Sequence, residues 1–315
     1  MSVSNDSPVN VIEIKNVWKS FKNVQAVKGV SLSVPKGKYV ALLGSNGAGK
    51  TTLVEMIEGI RKPDKGEITI MGKKWKGNEE ELHNILGLSL QENFFFEKLT
   101  VVETLRLFAG FFGLGMTKVD EIIDLIGLNE KRKSYFINLS GGQKQRLAIG
   151  ISLINNPTIL LLDEPTTGLD PVARREIWNI LNKLREKTEI SMILTTHYME
   201  EAEFLCDYIV IMDKGQILRE GSIQQLLEYD SEEKIIEFTT DAIFDFKNPL
   251  KPFPFKIFSD NSQNKWQIVL NNIETDIPIF MSYLKVNGIT LKSMEFRKKT
   301  LYDLFVSLTG RTINE

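Results

Sequence analysis

The segment GSNGAGKT, residues 44–51, constrains the fold of this chain more than any other feature. It follows the apolar segment YVALL and precedes LVEMIEGI, in which apolar residues recur with the period of a helix. The segment fits the pattern G-x-x-x-x-G-K-[ST], in which backbone N–H groups of a glycine-rich turn surround a phosphate and the helix N-terminus adds partial positive charge. We therefore predict a strand, a phosphate-binding loop and a helix in this order.

The predicted nucleotide contacts lie in this loop and in the first turn of the helix. They are Gly44, Ser45, Asn46, Gly47, Ala48, Gly49, Lys50, Thr51 and Thr52. We expect Lys50 to reach the β- and γ-phosphates of a nucleoside triphosphate and the hydroxyl of Thr51 to bind Mg²⁺. A chance match in a glycine-containing turn is the alternative, and the strand and helix on either side disfavour it.

Composition excludes several classes of protein. The 315 residues suggest two domains, and 39 basic against 41 acidic residues give a net charge of −2, which does not favour nucleic-acid binding. The single cysteine, Cys206, cannot form an internal disulfide and predicts a reducing compartment. We find neither a signal peptide nor an 18-residue apolar stretch, and so expect a soluble chain.

Apolar segments alternate with helical patterns in the middle of the chain. TILLL, ISMIL and YIVIM are strands of this kind, and such strands separated by helices predict a parallel sheet that is covered on both faces. Beyond Gly221 the sequence becomes more polar, KWQIVL alternates like a half-buried strand, and two segments near the end have helical periodicity. We predict a first domain over residues 1–230 and a small α+β domain over residues 231–315.

Two carboxylates follow the strand TILLL. Asp163 and Glu164 are placed at its carboxyl end, the edge where ligands bind in open α/β sheets. Asp163 is suited to bind Mg²⁺, and Glu164 is suited to polarise an attacking water. An ordinary acidic turn before Pro165 is the alternative, and the phosphate loop upstream favours the functional interpretation.

The segment LSGGQ, residues 139–143, precedes another helical pattern. Ser140 and Gln143 fit a capping box, and this alone accounts for a good helix start. A helix N-terminus that carries Gly141 and Gly142 is also a second anion site, where the Ser140 hydroxyl and backbone N–H groups are able to hold a γ-phosphate.

With these motifs the chain resembles the ATP-binding subunits of ABC transporters over about residues 11–221. The resemblance implies a P-loop NTPase fold of ABC type, with a mixed sheet core, an antiparallel β subdomain and a helical signature subdomain. It makes residues 44–51 the Walker A loop, Asp163 the Walker B aspartate, Glu164 the catalytic glutamate and residues 139–143 the ABC signature. The substrate it implies is ATP with Mg²⁺.

Four further residues match this family only through their order and spacing. Gln91 is similar to the Q-loop glutamine that meets Mg²⁺ and the hydrolytic water, Asp170 belongs to a D-loop, and His197 resembles the switch histidine that contacts the γ-phosphate. Phe21 stands where the family stacks an aromatic ring, usually Tyr, on adenine. Taken singly, Gln91 and His197 would be ordinary loop residues and Phe21 a core residue.

The family likeness also implies partners. Two chains associate head to tail, so that Ser140 of one chain caps the ATP bound by the other, and we expect a homodimer. HYMEEAEFLCDYIVIMDKGQI and LYDLFVSLTGR look like the drug- and ion-exporter subfamily, which pairs with ABC-2-type permease subunits. This predicts a peripheral protein at the cytoplasmic face of the membrane. Residues 94–96, all Phe, either line the groove for the permease or fill the core.

Other functions account for less of the sequence. A soluble ABC ATPase of translation usually carries two cassettes, and one of DNA maintenance inserts long coiled coils; this chain has one set of motifs and only about 90 residues between Lys50 and Ser140. A P-loop kinase would leave LSGGQ and His197 unexplained. We therefore predict the ATP-hydrolysing subunit of an exporter.

Overall fold

The computed structural model describes residues 9–90, 95–228, 234–241, 254–255, 257–259 and 265–310. The chain divides into two compact units, one that ends at Ile223 and one that spans Gln224–Gly310. The boundary expected after residue 230 stays a prediction.

The first unit alternates strands and helices. Its strands are β1 (Asn10–Phe21), β2 (Val24–Pro35), β3 (Tyr39–Leu43), β4 (Lys65–Ile70), β5 (Leu86–Ser89), β6 (Ile159–Asp163), β7 (Ser191–Thr196), β8 (Tyr208–Asp213) and β9 (Gln216–Gly221). Its helices are α1 (Lys50–Ile57), α2 (Glu79–Ile85), α3 (Val101–Phe111), α4 (Met116–Leu125), α5 (Gly141–Ser152), α6 (Pro171–Lys187) and α7 (Met199–Leu205).

The larger sheet of this unit has the order β5-β6-β7-β3-β8-β9, and only β9 runs antiparallel to its neighbour. Every residue of β3, β6 and β7 is buried. Because side chains alternate across a strand, Tyr39 joins a core on one face of the sheet while Val40 and Leu42 join a core on the other. The sheet is therefore covered on both faces, as the apolar strands predicted.

The register of the parallel strands brings their carboxyl ends together. Leu43, the last residue of β3, pairs with Thr196 of β7, and Asp163, the last residue of β6, pairs with Thr195. The loops that follow these strands therefore emerge side by side at one edge of the sheet, where open α/β folds bind their ligands.

Two smaller parts complete the first unit. Strands β2, β1 and β4 form an antiparallel sheet, and α3, α4 and α5 bury their apolar faces in a common core through Leu105, Ile123 and Leu147. The helix α3 begins at Thr100 with the predicted capping box to Glu103. The mixed sheet, the antiparallel part and the helical part that the resemblance implied are all present.

The second unit is a small α+β fold with its own core. Its elements are β10 (Lys234–Thr240), β11 (Ile257–Ser259), β12 (Lys265–Leu270), α9 (Ile273–Val286), β13 (Leu291–Arg297) and α10 (Leu301–Thr309), and α8 (Ile223–Glu228) lies at the division between the units. The antiparallel sheet has the order β11-β12-β10-β13, and Phe238 of β10 packs against Phe280 of α9. Of the helices in the described parts of the chain, none is long and apolar enough to cross a membrane.

Candidate functional site

The phosphate loop connects β3 to α1 and approaches backbone on both sides. A Cβ at Gly44 would lie 2.5 Å from the carbonyl oxygen of Met212, and one at Gly49 would lie 2.4 Å from that of Ala26. Gly49 also has a φ of 100°, which L-residues with a side chain rarely adopt. Only glycine fits these two positions, so the local sequence fixes the path of the loop.

The loop leaves its tip and the helix start open to a ligand. Asn46 and Gly47 are exposed, whereas Ser45 and Ala48 are buried. Gly49 precedes α1 and has no side chain with which to accept a hydrogen bond from the first turn. The first-turn N–H groups and the helix dipole therefore remain suited to an anion.

Lys50 is the cation of this site. Its side chain is buried, and Nζ donates to the carbonyl oxygens of Gly44 at 2.8 Å and Ser45 at 3.2 Å. Nζ also lies 3.3 Å from Oε1 of Glu164. Burial lowers the pKa of Lys50, and the negative charge of Glu164 opposes that change. The ammonium group thus stands between the phosphate loop and the carboxylate that follows β6.

Asp163 and Thr51 bring hard oxygen atoms together. Thr51 Oγ1 donates to Oδ1 of Asp163 at 3.3 Å, and the hydroxyl of Thr195 donates to the same oxygen. Burial raises the pKa of Asp163, and the hydrogen bonds from Thr195 and Thr51 oppose the rise. A hydroxyl beside a carboxylate at the phosphate loop fits Mg²⁺, which binds through one or two protein oxygens together with phosphates and waters.

Glu164 is held in a conformation that is unusual for a side-chain-bearing residue. Its φ is 48°, and its N–H donates to Oγ1 of Thr195 at 2.9 Å. Oε2 accepts a hydrogen bond of 2.9 Å from Thr167. The turn after β6 therefore sends the Glu164 side chain toward Lys50 rather than into the sheet.

His197 completes the group. Its Nδ1 lies 3.2 Å from Oε2 of Glu164, within ion-pair range but without the alignment of a hydrogen bond among the described residues. The His197 ring does most to lower the pKa of Glu164, to about 2, with Lys50 and Thr167 adding to the effect and burial opposing it. Glu164 is therefore fully ionised at neutral pH.

The signature segment forms the N-terminus of α5. Ser140 Oγ accepts from the N–H of Gln143 at 3.3 Å, and the Gln143 side chain accepts from the Ser140 N–H at 3.0 Å. A Cβ at Gly142 would lie 2.8 Å from Cβ of Ala173, whereas one at Gly141 would meet Leu169 at 3.6 Å. The capping box is present, and the segment packs on the D-loop and the start of α6.

Two residues that were predicted to contact the nucleotide also contact other residues of this chain. Asp170 caps α6, accepting from the N–H groups of Val172 at 2.9 Å and Ala173 at 3.0 Å. The ring of Phe21, at the end of β1, has the Arg61 guanidinium 5.0 Å from its centroid. Gln91 lies outside the described residues, and its predicted role in nucleotide and metal binding stays a prediction.

Sequence reasoning missed the threonines of this site. Thr195 links Asp163 to the backbone of Glu164, and Thr167 bonds the Glu164 side chain. The signal for Thr195 was present in the sequence, since two hydroxyl residues follow the apolar residues MIL and end the strand before His197. The described residues bring Lys50, Thr51, Asp163, Glu164 and His197 into one connected group.

Comparisons with known proteins agree with this geometry. The sequence profile described as ABC transporter matches residues 27–167. A Nod factor export ATP-binding protein I from Rhizobium sp. (strain N33) is 39% identical over 96% of this chain and 98% of its own length. The linearmycin resistance ATP-binding protein LnrL of Bacillus subtilis (strain 168) is 32% identical over 97% of this chain and 100% of its own length.

Solved structures show the same fold over about two thirds of this chain. A dimeric bacterial ABC transporter cassette aligns with a TM-score of 0.61 and 30% identity over 67% of this chain and 98% of that one. A dimeric cassette in a post-hydrolysis state, bound to ADP and inorganic phosphate, aligns equally well, with a TM-score of 0.61 and 30% identity.

Proposed function

The chain belongs to the ABC transporter family as one of its ATP-binding, ATP-hydrolysing subunits, and from this premise we propose that it drives export through a separate membrane subunit. ATP hydrolysis, which would drive this export, is supported by the connected group of Lys50, Asp163, Glu164 and His197 beside the phosphate loop. The names of the relatives, which refer to Nod factor export and linearmycin resistance, favour export over a role in translation or DNA maintenance.

The geometry supports hydrolysis by residues with separate tasks. The N–H groups of the loop and Lys50 bind the β- and γ-phosphates, and Thr51 with Asp163 would hold Mg²⁺, which supplies charge neutralisation to the phosphates. Glu164 accepts the proton of the water that attacks the γ-phosphorus, and His197 contacts the γ-phosphate. When a phosphate binds Lys50, the positive charge beside Glu164 is neutralised. The pKa of Glu164 then rises, and the carboxylate becomes a better acceptor for the proton of the attacking water.

We further propose that two chains share each ATP. In this arrangement the signature residues Ser140, Gly141, Gly142 and Gln143 of one chain contact the γ-phosphate held by the phosphate loop of the other. The exposed N-terminus of α5, with its two glycines, supports the proposal because it offers a second set of N–H groups to an anion. We propose the same roles as before for three further residues. Asp170 belongs to the D-loop, Phe21 stacks on adenine, and Gln91 of the Q-loop meets Mg²⁺ and the hydrolytic water.

An aromatic surface supports a membrane partner. Phe95 packs edge-to-face on Phe108 and Phe136, so it fills the core, whereas Phe96 and Phe111 are 66% and 72% exposed. Phe94 lies outside the described residues. We propose that the exposed rings receive a segment of an ABC-2-type permease, which would place this subunit at the cytoplasmic face of the membrane.

The test uses two variants that should each be inactive alone. Lys50→Ala removes the charge that binds phosphate, and Ser140→Arg blocks the signature. In a mixed dimer one ATP site carries both lesions, while the other combines an intact phosphate loop with an intact signature. We expect each variant alone to show background ATP hydrolysis with Mg²⁺, and the mixture to regain up to one working site per mixed dimer.

Cross-linking provides the control, because it shows whether mixed dimers are present. Mixed dimers that do not hydrolyse ATP would contradict the shared site. Hydrolysis near the wild-type rate by Lys50→Ala alone would contradict the assignment of the phosphate loop.

A further inference from the structure

Glu201 is a buried glutamate in the first turn of α7, four residues after His197. Its relative exposure is 0%, whereas the adjacent Glu200 is exposed. A carboxylate of this kind is costly to bury unless its oxygens accept hydrogen bonds. The partners of Glu201 therefore indicate why the chain keeps a glutamate here.

Side chains from separate segments converge on Glu201. Oε1 accepts from Thr166 Oγ1 at 2.8 Å and from Trp178 Nε1 at 3.0 Å. Burial raises the pKa of Glu201, and Thr196, Thr166 and Trp178 beside the carboxylate oppose that rise. Both threonines are buried as well, so water does not compete for these groups.

Two of these partners lead directly to the reacting group. Thr166 adjoins Thr167, whose hydroxyl donates to Glu164, and Thr196 immediately precedes His197. Thr196 Oγ1 also accepts from the N–H of Tyr198, the residue after His197. Trp178, the third partner, lies in the middle of α6, and its bond does not lead to either residue.

We propose that Glu201 is a positioning residue that fixes the distance between the catalytic glutamate and the switch histidine. Oε1 of this carboxylate accepts from the turn that carries Glu164, whereas Oε2, which has no hydrogen-bond partner among the described residues, belongs to the same buried group as Thr196 at the strand end that carries His197. Glu201 does not touch the nucleotide and acts through Thr166 and Thr196. The inference rests on the proposed roles of Glu164 and His197 in ATP hydrolysis.

This role should affect the chemical step more than ATP binding. The phosphate loop has hydrogen bonds of its own, from the N–H of Gly215 to the carbonyl oxygen of Ala48 at 3.0 Å and from Lys50 Nζ to the carbonyl oxygen of Gly44 at 2.8 Å. We therefore expect loss of the Glu201 side chain to leave Lys50 and the loop in place. A shift of Glu164 against His197 misplaces the proton acceptor for the attacking water, and displacements near 1 Å cost up to about a hundredfold in rate. We expect kcat to fall while the KM for ATP changes little.

The first experiment measures kcat and KM for Mg²⁺-dependent ATP hydrolysis by the full chain. Glu201→Leu removes the acceptor, whereas Glu201→Gln keeps an oxygen for Thr166 and Trp178. We expect kcat to fall about tenfold or more in Glu201→Leu and to recover largely in Glu201→Gln, with KM within about twofold of wild type. Glu200→Gln is the matched control and should behave as wild type.

A second set of variants leaves Glu201 in place, in case Glu201→Leu does not fold. Thr166→Val deletes the bridging hydroxyl without changing size, and Thr166→Ser retains it. Trp178→Phe removes the bond that leads only to α6. We expect Thr166→Val to lower kcat about tenfold, Thr166→Ser to approach wild type, and Trp178→Phe to lower Tm without an equivalent loss of kcat.

These outcomes separate positioning from stability. A loss of kcat that follows the loss of Tm across Thr166→Val and Trp178→Phe alike would overturn the inference, as would wild-type kcat in Thr166→Val. If the wild-type chain itself hydrolyses no ATP, the proposed function fails and this inference fails with it. Hydrolysis by the wild type with unchanged variants removes the positioning role alone.

Discussion

Two buried glutamates near the phosphate loop have pKa values that their surroundings move in opposite directions. The His197 ring and Lys50 lower the pKa of Glu164 to about 2. Glu58, at the end of α1, has both carboxylate oxygens buried without a hydrogen-bond partner in the described part of the chain. Burial, followed by the negative charges of Asp163 and Glu55, raises its pKa to about 7. Glu164 is therefore charged at neutral pH, while Glu58 titrates there.

The pKa of Glu58 predicts a pH-dependent stability. Between about pH 4.5 and 7 the unfolded chain loses the proton that the folded chain keeps, so the free energy of unfolding falls as pH rises and levels off above 7. Glu58→Gln cannot ionise and should remove this loss, which amounts to at most about 3 kcal/mol at 1.36 kcal/mol per pKa unit. Denaturant unfolding at pH 4.5 and pH 8 measures the effect.

The expected gain of Glu58→Gln is near zero at pH 4.5 and largest at pH 8. Glu80→Gln, at an exposed position of α2, is the control and should change stability little at either pH. Equal effects of Glu58→Gln at both pH values would show that the folded chain does not hold a proton on Glu58.

Residue by residue, the sequence predicted what short motifs determine and missed what the fold brings together. Lys50, Thr51, Asp163 and Glu164 belong to local patterns and were predicted. Glu201 was not, because Glu200 and Glu201 are adjacent identical residues and only the packing of α7 buries the second. The four-residue spacing of Glu201 and Leu205, both buried on one helix face, was the signal available.

At the scale of elements, the two glycines that begin α5 differ in what surrounds them. The capping box involves only Ser140 and Gln143, which are three residues apart, so the sequence alone predicted it. The contact of Gly142 with Ala173 of α6 depends on how two distant helices pack. No sequence pattern distinguishes Gly142 from Gly141 in this respect.

We predict that alanine substitutions at Gly141 and Gly142 have different effects on the free energy of unfolding. Alanine favours a helix over glycine by up to about 1 kcal/mol at either position. At Gly142, however, the new Cβ would lie 2.8 Å from that of Ala173, and overpacking of this kind costs about 1–3 kcal/mol. Gly142→Ala should therefore unfold at lower urea concentration than Gly141→Ala, which serves as its matched control. Equal midpoints would mean that α5 and α6 separate at no cost.

At the scale of the whole molecule, each unit has a core of its own. The core of the second unit includes Ile236, Phe238 and Phe280, which belong to its sheet and to α9. The sequence indicated a second domain through a change in composition and through two helical periods. The sequence placed the boundary after residue 230 from composition, which changes gradually along the chain, and this boundary stays a prediction; the compact units divide between Ile223 and Gln224.

Separate cores predict that the first unit folds alone. A fragment that ends at residue 229 keeps every site residue and the complete larger sheet. We expect it to be monodisperse on size-exclusion chromatography, to unfold cooperatively, and to gain Tm with ATP and Mg²⁺ as ligand binding to the folded state requires. Lys50→Ala in the same fragment is the control for the ATP effect. Aggregation of the fragment would show that the two parts form one cooperative core.

Because Asp163 of β6 pairs with Thr195 of β7, the lengths of these two strands are restricted. The Thr195 hydroxyl serves Asp163 and the backbone of Glu164 at once, and it does so from one face of β7. Because side chains alternate along a strand, a single inserted or deleted residue in β7 would turn Thr195 to the opposite face and bring His197 out of step with Glu164. We therefore expect β6 and β7 to accept exchanges among apolar residues but not the insertion or deletion of a residue.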